Sequence, residues 1–422
     1  MQLSKLSSGL RVASEHIPHV QTVTIGVWIR CGTFCEQQDE MGLSHFLEHM
    51  FFKGTQSRNA REIVEAFDDV GGELNAYTAK EYTCFFAKVM DEHLPLAVEV
   101  LSDMLTRPLF AENDVAREKQ IVLEEISLYE DAPDEIIHDK LADTIWPHHP
   151  LGRPILGTRE SIQAISVESL WKFYANHYCP GNIVIAACGH VSHEELVRLV
   201  EADFTLDIKD ASTTDTTSDL PYSERMTIIE RPIEQLHLCV GFPGLSWRDK
   251  DIYAMNIMNN IFGAGMSSRI FQGIREELGL AYSIYSYNAS FVSAGYFAVY
   301  AGLSARNAVS LLTTVGRELK AMKDTPVREA EILRARQQVK GALVMGLEST
   351  ANRMSRMGRG LLLIGRVMET SEILSRIEAV TLEDIQSLAR KVFALEQSTV
   401  CVLGPTSDLP DLGQVLREHA RA

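Results

Sequence analysis

The sequence lacks the long apolar runs that mark membrane and secreted proteins. No stretch of about 18 apolar residues predicts a membrane span, and residues 1–17 contain neither a signal-peptide core nor an Arg-rich transit pattern. The seven cysteines are scattered and include no C-x-x-C pair. Most are therefore predicted to be small core residues, and a reducing cytoplasm is the expected compartment.

The chain also has too few basic residues for a general nucleic-acid binder. It carries 40 Lys and Arg against 57 Asp and Glu, a net charge of −17. Such an excess disfavours non-specific contact with phosphates and permits cationic partners. At 422 residues, 45% hydrophobic and 23% charged, the composition is that of a globular protein with two or more domains.

Two parts of the chain repeat the same pattern. Residues 166–189 align without gaps to 381–404 at an offset of 215, which places Gly189 on Gly404. Each half also shows the order strand, helix, strand pair and two long helices. The sequence therefore predicts an α+β fold of two duplicated α/β half-domains, 1–206 and 222–422, joined by a polar linker at 207–221.

The strongest local motif is His45-Phe46-Leu47-Glu48-His49, within a helix predicted at about 42–52. Ser44 stands immediately before His45 and is the expected N-cap. Positions i, i+3 and i+4 share one helix face, so both imidazoles and the carboxylate can converge. Two imidazoles suit zinc, and a carboxylate that does not bind the metal suits a general base. The order His-x-x-Glu-His is the inverzincin signature.

A helix predicted at 112–131 offers the third ligand that a catalytic zinc needs. Glu118 and Glu125 fall on one helical stripe, whereas Glu124 lies on another apolar stripe. Periodicity alone does not decide whether Glu124 or Glu125 is the ligand. If the ligand faces the same site as Glu118, Glu125 fits and Glu124 does not.

The duplication indicates that this polar cluster is a site rather than a requirement of the fold. At an offset of 217, Glu118 aligns with Ala335 and Glu125 with Ala342. The counterpart of the motif helix, residues 249–262, contains no His or Glu. A core requirement would appear in both halves, whereas these groups occur in only one.

Three segments give the sequence a clear resemblance to the pitrilysin-type metallopeptidases, most closely to the processing-peptidase β subunits and their bacterial relatives. They are GLSHFLEHMFFKGT (42–55), GGELNAYTAKEYT (71–83) and REKQIVLEEI (117–126). The resemblance implies half-domains with mainly antiparallel sheets, packed with helices and enclosing a central cavity. It implies one zinc per chain on His45, His49 and Glu125, with Glu48 as general base and Glu118 orienting a ligand histidine.

The same resemblance assigns roles to residues outside the zinc cluster. Strand 73–79 would bind an extended substrate, and Arg275 with Tyr282 would steady the substrate and the developing oxyanion. The acids Glu135 and Asp139 would receive a substrate arginine. The other substrate-binding residues implied are Asn75, Ala76 and Tyr77 of the strand.

Together these features predict a zinc endopeptidase that cleaves extended, basic or presequence-like peptides. The chain is about half the length of a full pitrilysin, so a homodimer of two-domain subunits is expected, without nucleic-acid or membrane partners. One alternative is a non-catalytic scaffold, like the core subunits of the respiratory bc1 complex, which resemble this family. Another is a binding subunit that needs a catalytic partner. Zinc content separates the enzyme from both.

Overall fold

A computed structural model describes residues 1–206 and 220–419. Most of the predicted linker, 207–221, lies outside the described residues. The strands of the described chain are β1 Gln2–Lys5, β2 Arg11–His16, β3 Thr22–Ile29, β4 Glu73–Thr78, β5 Thr83–Met90, β6 Ile183–Gly189, β7 Met226–Glu230, β8 Leu236–Pro243, β9 Ala281–Ser290, β10 Gly295–Leu303 and β11 Thr399–Gly404.

The helices are distributed through both halves of the chain. They are α1 Leu43–Phe51, α2 Ala60–Asp68, α3 Leu94–Thr106, α4 Glu112–Glu130, α5 Pro133–Ile145, α6 Arg159–Ala164, α7 Val167–His177, α8 His193–Asp203, α9 Ile252–Asn259, α10 Ala308–Asp324, α11 Glu329–Gly346, α12 Thr350–Arg359, α13 Thr370–Ala379, α14 Leu382–Val392 and α15 Leu412–His419. No helix in the described ranges is both long and apolar enough to cross a membrane.

The two sheets share a five-stranded topology, to which the first adds β1 at one edge. The first runs β1-β2-β6-β3-β5-β4 and the second β7-β11-β8-β10-β9. In each, one pair is parallel, β2 with β6 and β7 with β11, and the remaining neighbours are antiparallel. The predicted α+β class with mainly antiparallel sheets is confirmed.

The aligned glycines Gly189 and Gly404 show how closely the repeats correspond. Their φ angles are +136° and +135°, in a region that L side chains rarely adopt. A Cβ on Gly189 would lie 2.1 Å from the carbonyl oxygen of Thr22, and one on Gly404 would lie 2.6 Å from that of Gln235. Both repeats therefore need glycine for the same steric reason, which supports the alignment made from sequence.

The compact units of the fold are discontinuous, unlike the contiguous half-domains 1–206 and 222–422 of the sequence prediction. Of the described residues, the first unit contains 1–128, 153–206 and 345–367, and the second contains 129–152, 220–344 and 368–419. Packing explains the difference. Helix α12 packs on β3 and β6 of the first sheet, and α5 packs on β8 and β11 of the second.

Helix α1 belongs to the first unit and is anchored by its apolar face. Phe46, Leu47, Met50 and Phe51 are fully buried in the core of that unit. His45 and His49 lie on the other side of the helix and are only partly buried. The pattern of apolar positions thus fixes which way the motif faces, because a rotation of α1 would expose its core residues.

Candidate metal centre

A buried carboxylate caps the beginning of α1. Glu36 accepts hydrogen bonds from the backbone N–H groups of Gly42, at 2.9 Å, and Ser44, at 2.8 Å. Gly42 is the N-cap, with φ of +83°, and Ser44 lies inside the helix. The prediction that Ser44 is the N-cap is therefore wrong. One carboxylate satisfies two first-turn donors at the positive end of the helix dipole, where negative charge is favoured.

The structure brings His45, His49 and Glu125 together. One potential ligand atom from each lies within 4.8 Å of the others, and the two imidazole centroids are 4.5 Å apart. Glu124, the alternative from sequence, is exposed. The choice of Glu125 by its helical phase with Glu118 thus agrees with the geometry.

Glu118 and Lys53 fix the orientation of His49. Glu118 Oε1 lies 2.7 Å from His49 Nδ1, and its other oxygen lies 2.7 Å from Lys53 Nζ. Burial raises the pKa of Glu118, but the bonds from His49 and Lys53 outweigh it and lower that pKa overall. An ionised Glu118 holds the proton of His49 on Nδ1, which directs Nε2 towards Glu125 Oε1, 3.9 Å away.

The environment of His45 favours its neutral form. Burial, and then the charge of His49, lower the pKa of His45 to about 3. For His49, burial lowers the pKa, but the hydrogen bond of Glu118 and the charge of Glu125 raise it overall. Neutral imidazole is the form that binds metal ions.

Two polar atoms of the cluster are buried without a hydrogen-bond partner among the described residues, His45 Nδ1 and Glu125 Oε2. Such atoms are costly unless something satisfies them. Two imidazoles and one carboxylate are a donor set typical of catalytic zinc, with a position left for water. The residues present therefore fit a zinc ion.

Glu48 is almost fully buried next to this cluster and has one clear partner. Its Oε2 accepts a hydrogen bond of 2.5 Å from the hydroxyl of Thr78. Burial raises the pKa of Glu48, while the Thr78 bond acts in the opposite direction. Sequence reasoning missed Thr78, although the alternation along β4 places it on the same side as Leu74 and Ala76, the less exposed side. Lys53, four residues after His49 and just beyond the end of α1, was also missed.

Strand β4 forms the edge of the first sheet, since it pairs with β5 alone in the described structure. Asn75 and Tyr77 are exposed, and Ala76 points to the less exposed side. The Asn75 side chain accepts a hydrogen bond from the Ala76 N–H at 2.8 Å. An edge strand offers backbone groups for another extended chain.

Arg275 and Tyr282 lie in the second compact unit and are neighbours of each other. The Arg275 guanidinium carbon is 5.7 Å from the centre of the Tyr282 ring and 4.8 Å from that of Phe271. Tyr282 is 79% exposed. The pair predicted from sequence is thus present as a cation–π contact on the surface of its unit.

The two predicted acids of α5 have different surroundings. Glu135 is exposed and lines a cavity of about 930 Å³ in the second unit, which Asp134 and Tyr282 also line. Asp139 instead accepts a hydrogen bond of 3.1 Å from the Tyr129 hydroxyl. Of the two carboxylates, Glu135 is the one at the cavity.

Comparison with known proteins identifies the family. Residues 11–159 match Insulinase (Peptidase family M16), and residues 164–339 match the Peptidase M16 inactive domain. The uncharacterized zinc protease YmxG of Bacillus subtilis is 41% identical over 403 residues, which cover 96% of this chain and 98% of the relative. The chain belongs to peptidase family M16. Its match to an inactive domain agrees with the second repeat, whose described residues contain no metal-binding cluster.

Solved structures share the fold of nearly all of this chain. A protease from Helicobacter pylori matches with a TM-score of 0.89 at 20% identity, covering 96% of this chain and 99% of that one. A chain of Complex III2 from Candida albicans matches with a TM-score of 0.85 at 20% identity, covering 99% of both. At such identities the likeness concerns the fold alone.

Proposed function

We propose that this M16 protein is a zinc endopeptidase that cleaves extended, basic or presequence-like peptides. The observation that carries the proposal is the convergence of His45, His49 and Glu125, with two of their buried polar atoms unpartnered. These three residues would hold one zinc ion per chain. The zinc-protease name of the Bacillus subtilis relative supports the choice of metal.

When bound, zinc would supply Lewis acidity, which polarises a peptide carbonyl and makes a water molecule more acidic. Glu48 is the proton carrier in this proposal. Its carboxylate takes a proton from the attacking water and then delivers it to the leaving nitrogen. Burial favours the protonated form and raises the pKa of Glu48 overall, while the Thr78 hydroxyl favours the ionised form. The carboxyl group thus has support in both states, each of which the reaction uses.

Glu118 positions His49 and does not touch the substrate. By accepting a hydrogen bond from Nδ1–H it keeps the proton of His49 on Nδ1, so that the lone pair of Nε2 is left to bind the metal. Lys53 compensates the charge of Glu118 in a buried place, where an unpaired carboxylate would be costly.

For the substrate, we propose that an extended peptide adds to the open edge of β4 near Asn75, Ala76 and Tyr77. This mode selects unfolded segments, because only an extended backbone can pair with a strand. Glu135 would attract a basic side chain of the substrate. Asp139 would contribute to the binding of that side chain through Tyr129, its hydrogen-bond partner. Arg275 and Tyr282 would assist by contacting the substrate and its developing negative charge.

The chain is further proposed to act as a homodimer, which light scattering of the purified protein would test. The scaffold alternative has one observation in its favour, the fold shared with Complex III2. That likeness does not extend to function, and an intact ligand set is not expected of a scaffold.

The direct test compares Glu48→Gln with Glu124→Gln. We expect Glu48→Gln to bind zinc at the wild-type stoichiometry and to lose about 10²–10⁴-fold in kcat on basic peptides, the usual contribution of general acid–base catalysis. Glu124→Gln should match the wild type in both respects. Wild-type cleavage by Glu48→Gln would refute this mechanism, and an unchelated preparation without zinc would favour the scaffold.

A further inference from the structure

The first compact unit contains a second group of metal-binding side chains, which consists of Cys31, Cys35 and His177. One potential ligand atom from each lies within 4.8 Å of the others. Cys31 follows β3, Cys35 ends a short 3-10 turn, and His177 is the last residue of α7. We propose that this thiolate–imidazole cluster binds a thiophilic metal ion of the zinc class, separately from the centre on α1.

The donor chemistry and the spacing suit such an ion. Two cysteines and one histidine are a known zinc ligand set, with a fourth position for water or a small ligand. Donors around a tetrahedral zinc lie roughly 3.5 Å apart, given bonds of about 2.0–2.3 Å. Only a small movement of the side chains is therefore needed to close the site around an ion.

Burial of the cluster also favours a cation that takes thiolate ligands. Cys31 has no exposed surface, and the Cys35 thiol makes a long hydrogen bond of 3.7 Å to the Arg30 carbonyl oxygen. A divalent ion with two thiolates is neutral overall, so binding would remove the cost of holding a buried thiolate.

The loop that carries the two cysteines is held in place by its backbone. The Cys35 N–H donates to the Gly32 carbonyl at 2.9 Å. A Cβ at Gly32 would lie 2.2 Å from the Ala79 carbonyl oxygen, so only glycine permits this approach to the β4–β5 turn. Cys35 and His177 are partly exposed, which leaves a route for an ion to enter.

The cluster is close to the start of α1. Glu36, which caps the first turn of that helix, follows Cys35 directly. An ion at this cluster would therefore fix the segment that carries the cap.

Cobalt substitution separates the two centres, because only one of them contains sulfur. Reduced protein, freed of metal with a chelator, is titrated with Co²⁺ and its near-ultraviolet spectrum is recorded. We expect two equivalents to bind and a thiolate-to-cobalt charge-transfer band to saturate with one of them. His45→Gln should lose one equivalent and keep the band, so a failure at the α1 centre would be seen separately.

Substitutions within the cluster give the opposite pattern. Cys35→Ser and His177→Gln should each lose or weaken the band while the other equivalent remains. Cys179→Ser is the matched control, a buried cysteine two residues from His177 that lies outside the cluster, and it should keep the band. A reduced wild-type protein without the band, or a band of wild-type strength in Cys35→Ser, would overturn the proposal. The wild-type spectrum alone decides if the variants do not fold.

Discussion

Thr78 Oγ1 lies 2.5 Å from Glu48 Oε2, and this bond joins the edge strand β4 to the motif helix α1. The two residues are 30 positions apart in sequence. The hydroxyl therefore connects the strand proposed to receive the substrate with the carboxylate proposed to move the proton.

Replacing Thr78 with Val should shift the pH dependence of cleavage. A hydrogen bond to the ionised carboxylate lowers its pKa, so removing the hydroxyl raises the pKa of Glu48 further. Bonds to charged groups contribute about 1.5–3 kcal/mol, so the acid limb of kcat/KM should move up by about one to two pH units. Thr78→Ser keeps the donor and should restore the wild-type profile. An unchanged profile in Thr78→Val would show that the bond does not tune Glu48.

Glu125→Gln should impair zinc binding far more than Glu124→Gln. The first variant exchanges a charged ligand for a neutral amide, whereas the second alters an exposed side chain on the same helix. Competition with a chromophoric chelator would measure both affinities. Equal losses in the two variants would mean that the third ligand had been wrongly assigned.

Glu118→Gln should weaken zinc binding without abolishing it. Loss of the carboxylate that orients His49 should lower the affinity about 10–100-fold, as is typical for such partners of ligand histidines. Arg117 carries an exposed side chain next to Glu118, and Arg117→Gln is the matched control, expected to bind zinc normally. If Glu118→Gln bound zinc as tightly as the wild type, its contact with His49 would be structural only.

Glu36 should make the stability of the metal-free protein fall as the pH rises from about 4.5 to 7. Burial raises the pKa of Glu36 from 4.5 to about 7, so in this window the folded state holds more protons than the unfolded state. The free energy of unfolding then decreases with rising pH, by about 3 kcal/mol in total at 1.36 kcal/mol per unit. Denaturant melts of chelated protein at several pH values would measure it.

Glu36→Gln should abolish this part of the pH dependence, since the variant has no proton to lose. Glu40→Gln, a more exposed substitution in the same segment, should keep it. Parallel curves for the wild type and Glu36→Gln across the window would contradict the raised pKa.

Glu135→Gln should reduce any preference for basic substrates. Glu135 is exposed at its cavity, and an exposed ion pair contributes up to about 1 kcal/mol. The kcat/KM for peptides with Arg near the cut should therefore fall about two- to fivefold, with little change for neutral peptides. Asp143→Asn, an exposed acid on the same helix α5, is the control. A peptide library cleaved without basic preference by the wild type would refute the acidic pocket.

Much of the candidate site follows from local pattern. The i, i+3 and i+4 spacing placed three motif residues on one face of α1, and the phase with Glu118 selected Glu125. The Ser44 prediction failed because the first-turn donors are satisfied by Glu36, which lies in a preceding loop where no helical period applies. The role of Thr78 was not predicted because its partner, Glu48, belongs to another secondary-structure element.

The sequence by itself determined the α+β class, the duplication, the helix that carries the motif and the composition of the ligand set. These properties depend on periodicity and on comparison of one half with the other. Only the tertiary structure decided that α5 and α12 pack on the sheets of the opposite halves, that Thr78 contacts Glu48, and that Cys31 and Cys35 lie beside His177. Those relationships depend on how distant segments pack, and residue spacing along the chain carries no record of that packing.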